Sequence, residues 1–393
     1  MKRALLITAL ILLFLVEISR VYFIMPFPGS QRHDTISLAY WLDKNILLLR
    51  IFALIMVFFP AISIFRKGKK SAKILVSSAL ALYGIIFFLF NFWLEADKIF
   101  YQPTQKLFAP GISNKIKGDK LVIGVAINGE AKANPIQLIG YHHQVRDSVG
   151  GRPVIITYCT VCRTGRAFNP IVNGKPETFR LVGMDHFNAM FEDASTKSWW
   201  QQATGAAIAG PMKGRALQEI PSQQLKLSSW LRQYPNTTVM QPDSVFSGEY
   251  TDMANYDRGN GKSELTTRDT TSWKPKSWIV GVNYGNASKA YDWNELAKNK
   301  IIQDTLAEVP LLLTLEEDTA SFHVFNRNVN SQVLSFHKSA VDNQMIDNTM
   351  STWNMTGECT DGFFKGEQLK TIQAYQEFWH SWKTFHPNTC RKM

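Results

Sequence analysis

From Ile74 to Leu94 the chain runs for about 20 residues without a charge, long enough as a helix to cross the hydrocarbon core of a bilayer. Two further apolar segments precede it, Ala4 to about Met25 and Ile46 to Phe65, so residues 1–95 read as a membrane region with three transmembrane helices (about 4–25, 46–65 and 74–94). Glu17 and Arg20 interrupt the first at helical spacing, where opposite charges can partly neutralise each other or sit near the interface. Arg50 lies near one end of the second, where a long cationic side chain can snorkel. A basic start and a short apolar run also suit a cleaved leader, but no small-x-small cleavage site follows and two more spans do.

Arg66-Lys-Gly-Lys-Lys-Ser-Ala-Lys73 places five cations in eight residues between the second and third spans. By the positive-inside rule this loop is cytoplasmic, as is the Lys2-Arg3 start, and everything after about Ala96 faces outward. In a bacterial setting that is an inner (cytoplasmic) membrane protein with a cytoplasmic N-terminus and a periplasmic C-terminal region, where thiols tend to oxidise. The net charge of +11 would admit nucleic acid. Part of the excess sits in this loop, however, so the expected partner is the lipid bilayer and not nucleic acid.

The rest of the chain contains an internal repeat. Gly205 to Thr237 aligns without a gap on Gly357 to Thr389, with identities at Gly205/Gly357, Gly210/Gly362, Lys213/Lys365, Gly214/Gly366, Trp230/Trp382 and Pro235-Asn-Thr/Pro387-Asn-Thr. Upstream, Gly124-Val matches Gly281-Val, Lys132-Ala matches Lys289-Ala, and Asp147, Pro153, Thr157 and Phe168-Asn match Asp304, Pro310, Thr314 and Phe325-Asn. The expected fold is α+β: three transmembrane helices, a linker (96–120), then two tandem, diverged copies of a β-rich unit each ending in a helix. The copies occupy 121–243 and 278–393, separated by a linker or long loop at 244–277.

Within each copy, Leu121 to Ile127 followed by Asn128-Gly129 signals a hairpin, because that dipeptide suits the positive φ of a tight turn. Pro135 to Val145 reads as a short helix or a crossover. Ser222 to Gln233 and Tyr375 to Thr384 read as helices packed by Trp230 and Trp382. Pro153-Val-Ile-Ile-Thr-Tyr158 is a buried strand by its β-branched and aromatic content, and it delivers Cys159 and Cys162 at its end. Continued extension would put the two thiols on opposite faces, so a site requires a turn at Thr160-Val161, with Gly165 nearby to permit a bend.

Several motifs now stand together: Gly129-Glu-Ala-Lys-Ala133, Tyr141-His142-His143-Gln-Val-Arg-Asp147, Gly150-Gly-Arg-Pro-Val, Thr157-Tyr-Cys159-Thr-Val-Cys162, Trp200-Gln-Gln-Ala-Thr-Gly205 and Phe378-Trp-His-Ser-Trp382. Over nearly all of residues 120–393 the chain resembles the bacterial family labelled domain of unknown function 3179. That family usually shows Trp-His-Glu at the position of Tyr141-His142-His143 and Cys-Pro-Leu-Cys-Gly at the position of Cys159 to Arg163. The resemblance implies a fold unit and no reaction.

The repeat supplies an internal comparison for the cysteines. The second copy has Glu316 and Thr319 in place of Cys159 and Cys162, and Asn299 in place of His142, so the scaffold does not require the sulfurs. Two soft thiolates and an imidazole suit copper, and zinc accepts the same donors. The expected metal set is therefore His142, Cys159 and Cys162, with Met184, His186 and Met190 as candidates for a further ligand. A thiol-disulfide oxidoreductase using Cys159 and Cys162 as catalytic pair is the alternative, with Arg163 or Arg166 as the cation that lowers the thiol pKa. A non-catalytic interaction scaffold is the third reading. The first two imply a periplasmic redox or metal-delivery partner.

Other residues carry plainer expectations. His143 reads as a surface or hydrogen-bonded histidine, Asp147 as a turn or cap residue because it recurs as Asp304, and the tryptophans at 199, 200, 353, 379 and 382 as core packing. Met184 and Met190, six apart, would share one face of a strand as core filling. Cys359 aligns with Ala207 and Cys390 lies just past the last repeated residue, so the two are a candidate disulfide tying down the C-terminal tail, with two free thiols as the alternative. No phosphate-binding glycine loop, nucleophile elbow or H-E-x-x-H is present, which removes the common hydrolase signatures.

Overall fold

The computed structural model describes residues 2–392; Met1, Met393 and the side chains of Lys2 and Arg3 lie outside it, and with them the Lys2-Arg3 part of the orientation argument. The chain divides into two compact units. One comprises Met1–Tyr101, Glu177–Gln201 and Ala206–Ala216; the other comprises Gln102–Pro176, Gln202–Gly205 and Leu217–Met393.

The first unit contains α1 (Lys2–Tyr22), α2 (Ile36–Lys67) and α3 (Lys70–Phe88), the last continued by one wider turn over Leu89–Trp93. Three helical stretches, Ala4–Tyr22, Ile36–Lys67 and Lys70–Trp93, are long and apolar enough to cross a membrane. Leu47, Phe59 and Leu75 point outward from them, as lipid-facing side chains do. The second helix starts ten residues before the expected Ile46, because Ile36 to Asn45 contains no helix breaker and simply extends it.

Glu17 is fully buried. Its expected neutralisation by Arg20 does not occur. Arg50 of α2 instead reaches it as a fork, Nε to Oε1 at 2.6 Å and Nη2 to Oε2 at 2.8 Å, and Tyr83 of α3 donates its hydroxyl to Oε1 at 3.0 Å. Arg20 turns to Asn91 at 2.6 Å and Glu95 at 3.1 Å. Two-point guanidinium geometry from a facing helix satisfies a buried carboxylate better than a single neighbour along the same helix.

The same unit includes an antiparallel sheet of Phe179–Asp185, Asn188–Asp193, Trp199–Gln201 and Ala207–Ala209. Ile24, Ala39, Val182, Met190, Trp199 and Ala209 form its core, and Lys44 of α2 pairs with Glu192 at 2.7 Å.

In the second unit, β1 (Leu121–Ile127) and β2 (Glu130–Pro135) form the hairpin expected from Asn128-Gly129, with φ of 49° and 82° at the turn. The helix α4 (Ile136–His142) follows, then an antiparallel meander of β3 (Gln144–Val149), β4 (Arg152–Cys159) and β5 (Thr164–Phe168). β6 (Gln223–Lys226) pairs with β1 and leads into α5 (Leu227–Gln233), and β7 (Thr238–Met240) runs parallel to β2.

The same order recurs in β8 (Trp278–Tyr284), β9 (Ala287–Asp292), α6 (Trp293–Asn299), β10 (Ile301–Leu306), β11 (Val309–Leu315) and β12 (Phe322–Asn326). β13 (Ala374–Phe378) then pairs with β8 and leads into α7 (Trp379–Phe385). The expected helices from Ser222 and Tyr375 are thus too long. Their first residues are strands paired with β1 and β8, and helix begins only at Leu227 and Trp379, since the free edge of each hairpin satisfies more backbone groups than another helical turn would.

Asp147 is not a cap: it lies within β3 and pairs with Lys132 of β2 at 2.9 Å, as Asp304 pairs with Lys289 at 2.6 Å. Residues 244–277 do more than connect. They contribute Phe246, Tyr250 and Tyr256 to the core formed by β1, α4, β3 and β4.

Candidate functional site

β4 is the middle strand of its meander, paired on both sides and buried from Val154 onward, which explains its unbroken β-branched and aromatic run. Its last residue, Cys159, pairs with Thr164 of β5, leaving Thr160 to Arg163 as the loop of a tight hairpin. The turn therefore falls where a C-x-x-C site requires it. The positive φ is supplied by Arg163 at 55°, not by Gly165. Gly165 is extended within β5, and its missing side chain makes room for Ile123, whose Cδ1 would sit 2.6 Å from a β-carbon there.

Both thiols are fully buried, and Cys162 lies within hydrogen-bonding reach of Cys159. The loop is held by its backbone. Phe378 N–H donates to the Cys162 carbonyl at 3.0 Å, and the Val161 carbonyl takes Lys276 Nζ at 2.7 Å with His380 Nε2 at 3.2 Å. Thr164 Oγ1 and Ser381 Oγ are 3.3 Å apart beneath it.

Burial drives the Cys162 thiol well above its ordinary pKa, and the neighbouring Cys159 adds to that, while Ser381 and Lys276 pull the other way. Burial also pushes Lys276 down to about 8, against the pull of the Cys162 and Cys159 thiolates. His380 is brought down to about 4, first by burial and then by the adjacent Lys276. Near neutral pH the arrangement is a protonated Cys162 thiol beside Cys159 and a Lys276 side chain that is mostly ammonium and turns to amine near pH 8.

Arg163 and Arg166, the expected cations, are committed elsewhere. Arg163 sends Nε to Gln376 at 2.9 Å, and Arg166 forms a buried ion pair with Glu377. The cation that the structure puts at the loop is Lys276, on the Val161 carbonyl. It lies in the stretch read as linker, and nothing in the local sequence marks it. His380 belongs to the Phe378-Trp-His-Ser-Trp382 motif, whose position in the second half of the chain hid its proximity to the Cys162 loop.

The remaining candidates are placed as follows. His142 ends α4 with Nε2 2.6 Å from the Tyr250 hydroxyl and its ring edge-on to Phe246. His143 is buried, not on the surface, in the left-handed cap of α4. Its Nδ1 reaches the Tyr158 carbonyl at 2.9 Å, and burial lowers its pKa to about 4. Met184, His186 and Met190 belong to the first unit. Met184 and Met190 lie on two strands of one hairpin and not on one strand face, and His186, in the turn between them, contacts Asp185 at 2.7 Å. Among the described residues no group of three His, Cys, Asp or Glu side chains is disposed to hold one metal ion.

Cys359 is buried and Cys390 exposed, and both are free thiols. The five tryptophans at 199, 200, 353, 379 and 382 are all buried as core. Glu316, which stands at the repeat offset from Cys159, is buried among Ser229, Arg232 and His323, and it lines a polar cleft of about 600 Å³.

Three membrane-length apolar helices and a β-rich region carrying a buried C-x-x-C hairpin define a membrane-anchored α+β protein. The chain belongs to the family described as protein of unknown function DUF3179, whose family model matches residues 105–389. No curated protein and no solved structure matches the chain.

Proposed function

We propose that Cys159 and Cys162 form a redox dithiol on a membrane-anchored protein whose β-rich region faces an oxidising compartment. The observation that carries this reading is the pair itself: two fully buried thiols within hydrogen-bonding reach of each other in one hairpin loop, with the Lys276 amine in their field. An external disulfide is the co-reactant. One thiol loses its proton to Lys276, the thiolate attacks the disulfide and releases one external thiol, and the second cysteine then displaces the other external thiol to close the internal disulfide. Two protein thiols are oxidised and one disulfide is reduced to two thiols. Because the sulfurs are buried, exchange requires the loop held by Lys276, His380 and Phe378 to open, which makes the reaction slow and selective.

The outward orientation is supported by the cations clustered at the α2–α3 junction. Descent of the two halves from one duplicated unit is supported by their common order of elements and by the matched residue pairs Lys132/Asp147 and Lys289/Asp304. On that reading the second half lost or never gained the sulfurs.

The test is equilibration of the detergent-solubilised full-length protein in glutathione redox buffers, followed by acid quench and mass spectrometry. A single reversible loss of two hydrogens, abolished by Cys159→Ser and by Cys162→Ser, is expected. Stoichiometric copper or zinc retained by the purified protein and lost in both variants would overturn it in favour of a metal centre using the two sulfurs.

A further inference from the structure

In the unit that holds the apolar helices, α1, the end of α2 and the start of α3 leave an apolar groove of about 390 Å³ between them. Leu6 and Val76, each 4% exposed, form its floor and belong to one packed cluster. Ile7 and Leu75, 58% and 71% exposed, stand at its lips, so the groove is open to whatever surrounds the helices. The space comes from α3. Ala72, Val76 and Ala79 recur there at helical spacing along the groove, and the two alanines carry too little side chain to reach across to Leu10 of α1.

At one end the same groove is lined by Lys69 and Ser71, both exposed. From Lys69 to Ala79 a helix rises about 15 Å, which is the depth of one leaflet in a hydrocarbon core of about 30 Å. The mouth is strongly basic. Arg66, Lys67, Lys69, Lys70 and Lys73 cluster at the α2–α3 junction, and the chain holds no acidic residue between Asp43 and Glu95 to balance them. Glu17, the acidic residue of α1, is already held by Arg50 and Tyr83. Membrane topology asks for cations at one end of the helices, but not for an apolar groove one leaflet deep beneath them.

We infer that this groove binds one anionic phospholipid of the adjoining leaflet, with an acyl chain along Leu6, Leu10, Val76 and Ala79 and the headgroup phosphate at Lys69. Ser71, with an exposed hydroxyl, is a further donor at the mouth. The acyl chain gains by covering apolar floor and walls, and a headgroup of net negative charge gains from cations that no carboxylate compensates. A zwitterionic headgroup gains less, because its ammonium meets the same cluster. The ligand is a bilayer lipid and not a free phosphate, since most of the lining is hydrocarbon. This site requires neither Cys159 nor Cys162 and stands apart from the redox reading.

The experiment is native mass spectrometry of the full-length protein in detergent, titrated separately with dioleoyl phosphatidylglycerol, with dioleoyl phosphatidylcholine and with glycerol phosphate. One saturable phosphatidylglycerol site is expected, at least roughly tenfold tighter than phosphatidylcholine, which has the same chains. Glycerol phosphate, which has the charge and no chain, should not bind at those concentrations. Ala72→Leu combined with Ala79→Leu fills the groove, keeps every charge and should weaken the site by roughly tenfold. Lys69→Gln combined with Lys70→Gln leaves the groove open and should narrow the preference over phosphatidylcholine by roughly fivefold. Both lysines are exposed, so this second variant decides the matter if the first fails to fold. Equal affinity for the two lipids overturns the proposal, as does unchanged phosphatidylglycerol binding in a folded groove-filled variant or in the lysine variant. Glycerol phosphate binding as tightly as the lipid overturns the part assigned to the groove.

Discussion

A β-carbon placed on Gly124 would lie 2.4 Å from Cε3 of Trp230, and one on Gly281 would lie 2.3 Å from Cε3 of Trp382. Each glycine sits in the first strand of its hairpin, β1 or β8, and each tryptophan on the helix that follows the strand pairing with it. Trp230 Nε1 then donates to Thr237 Oγ1 at 2.9 Å and Trp382 Nε1 to Thr389 Oγ1 at 2.8 Å, so each indole is fixed at both ends.

Gly124→Ala and Gly281→Ala should therefore each destabilise the β-rich region. Neither indole can retreat without breaking its bond to threonine, so the cost is expected at the upper end of the range for overpacking, about 3 kcal/mol. Thermal unfolding of the two single variants checks this, and a shift near zero in either would show that the helix yields more easily than its contacts indicate.

On the proposed redox reading, Lys276 should set the pH at which the dithiol reacts. Its pKa of about 8 places the change from ammonium to amine in the working range. The rate of internal disulfide formation with a small disulfide oxidant should rise through pH 8. Lys276→Met should react roughly tenfold more slowly at pH 8 and move the rise to higher pH, because the thiols lose both their proton acceptor and its positive field. Stopped-flow quench and alkylation across pH 6 to pH 10, conditions chosen around that value, measures it. Superimposable profiles would exclude Lys276 from the reaction.

Acid should weaken the fold through His143. Its pKa in the folded protein is about 4 against an ordinary value of 6.5, so the unfolded chain binds the proton first as pH falls. Stability contributed by the neutral ring is intact above pH 6.5 and drains away as pH approaches 4, by at most about 3 kcal/mol for this one residue. His380, lowered to about 4 by burial and then by Lys276, acts in the same direction. Melting temperatures recorded between pH 7.5 and pH 4.5 in wild type and His143→Asn test the sign. Asparagine tolerates the left-handed cap, so its profile should be flatter.

Within the membrane region, Arg50→Leu should cost about 3–5 kcal/mol, because Glu17 would remain buried with Tyr83 and no cation. Adding Glu17→Gln should recover much of that loss. Unfolding in detergent compares the single and double variants. Equal stability of the two would mean that the Glu17 carboxylate does not depend on the Arg50 fork.

The sequence by itself determined the elements whose cause is local. Apolar length fixed three helices, since any bilayer-crossing segment must satisfy its own backbone. Asn128-Gly129 fixed a hairpin through its positive φ, and the run from Pro153 to Tyr158 fixed a buried strand that ends at Cys159. What tertiary structure decided is everything that depends on a partner distant along the chain. Glu17 is paired by Arg50 and not by its helical neighbour Arg20. Residues 177–201 and 206–216 form a compact unit with the apolar helices. The Cys159–Cys162 hairpin meets Lys276 and His380, which arrive from far along the chain and both reach the Val161 carbonyl. Periodicity and turn chemistry act over a few residues, whereas charge pairing and burial act across space, and no spacing rule in the linear chain says which distant side chain will arrive there.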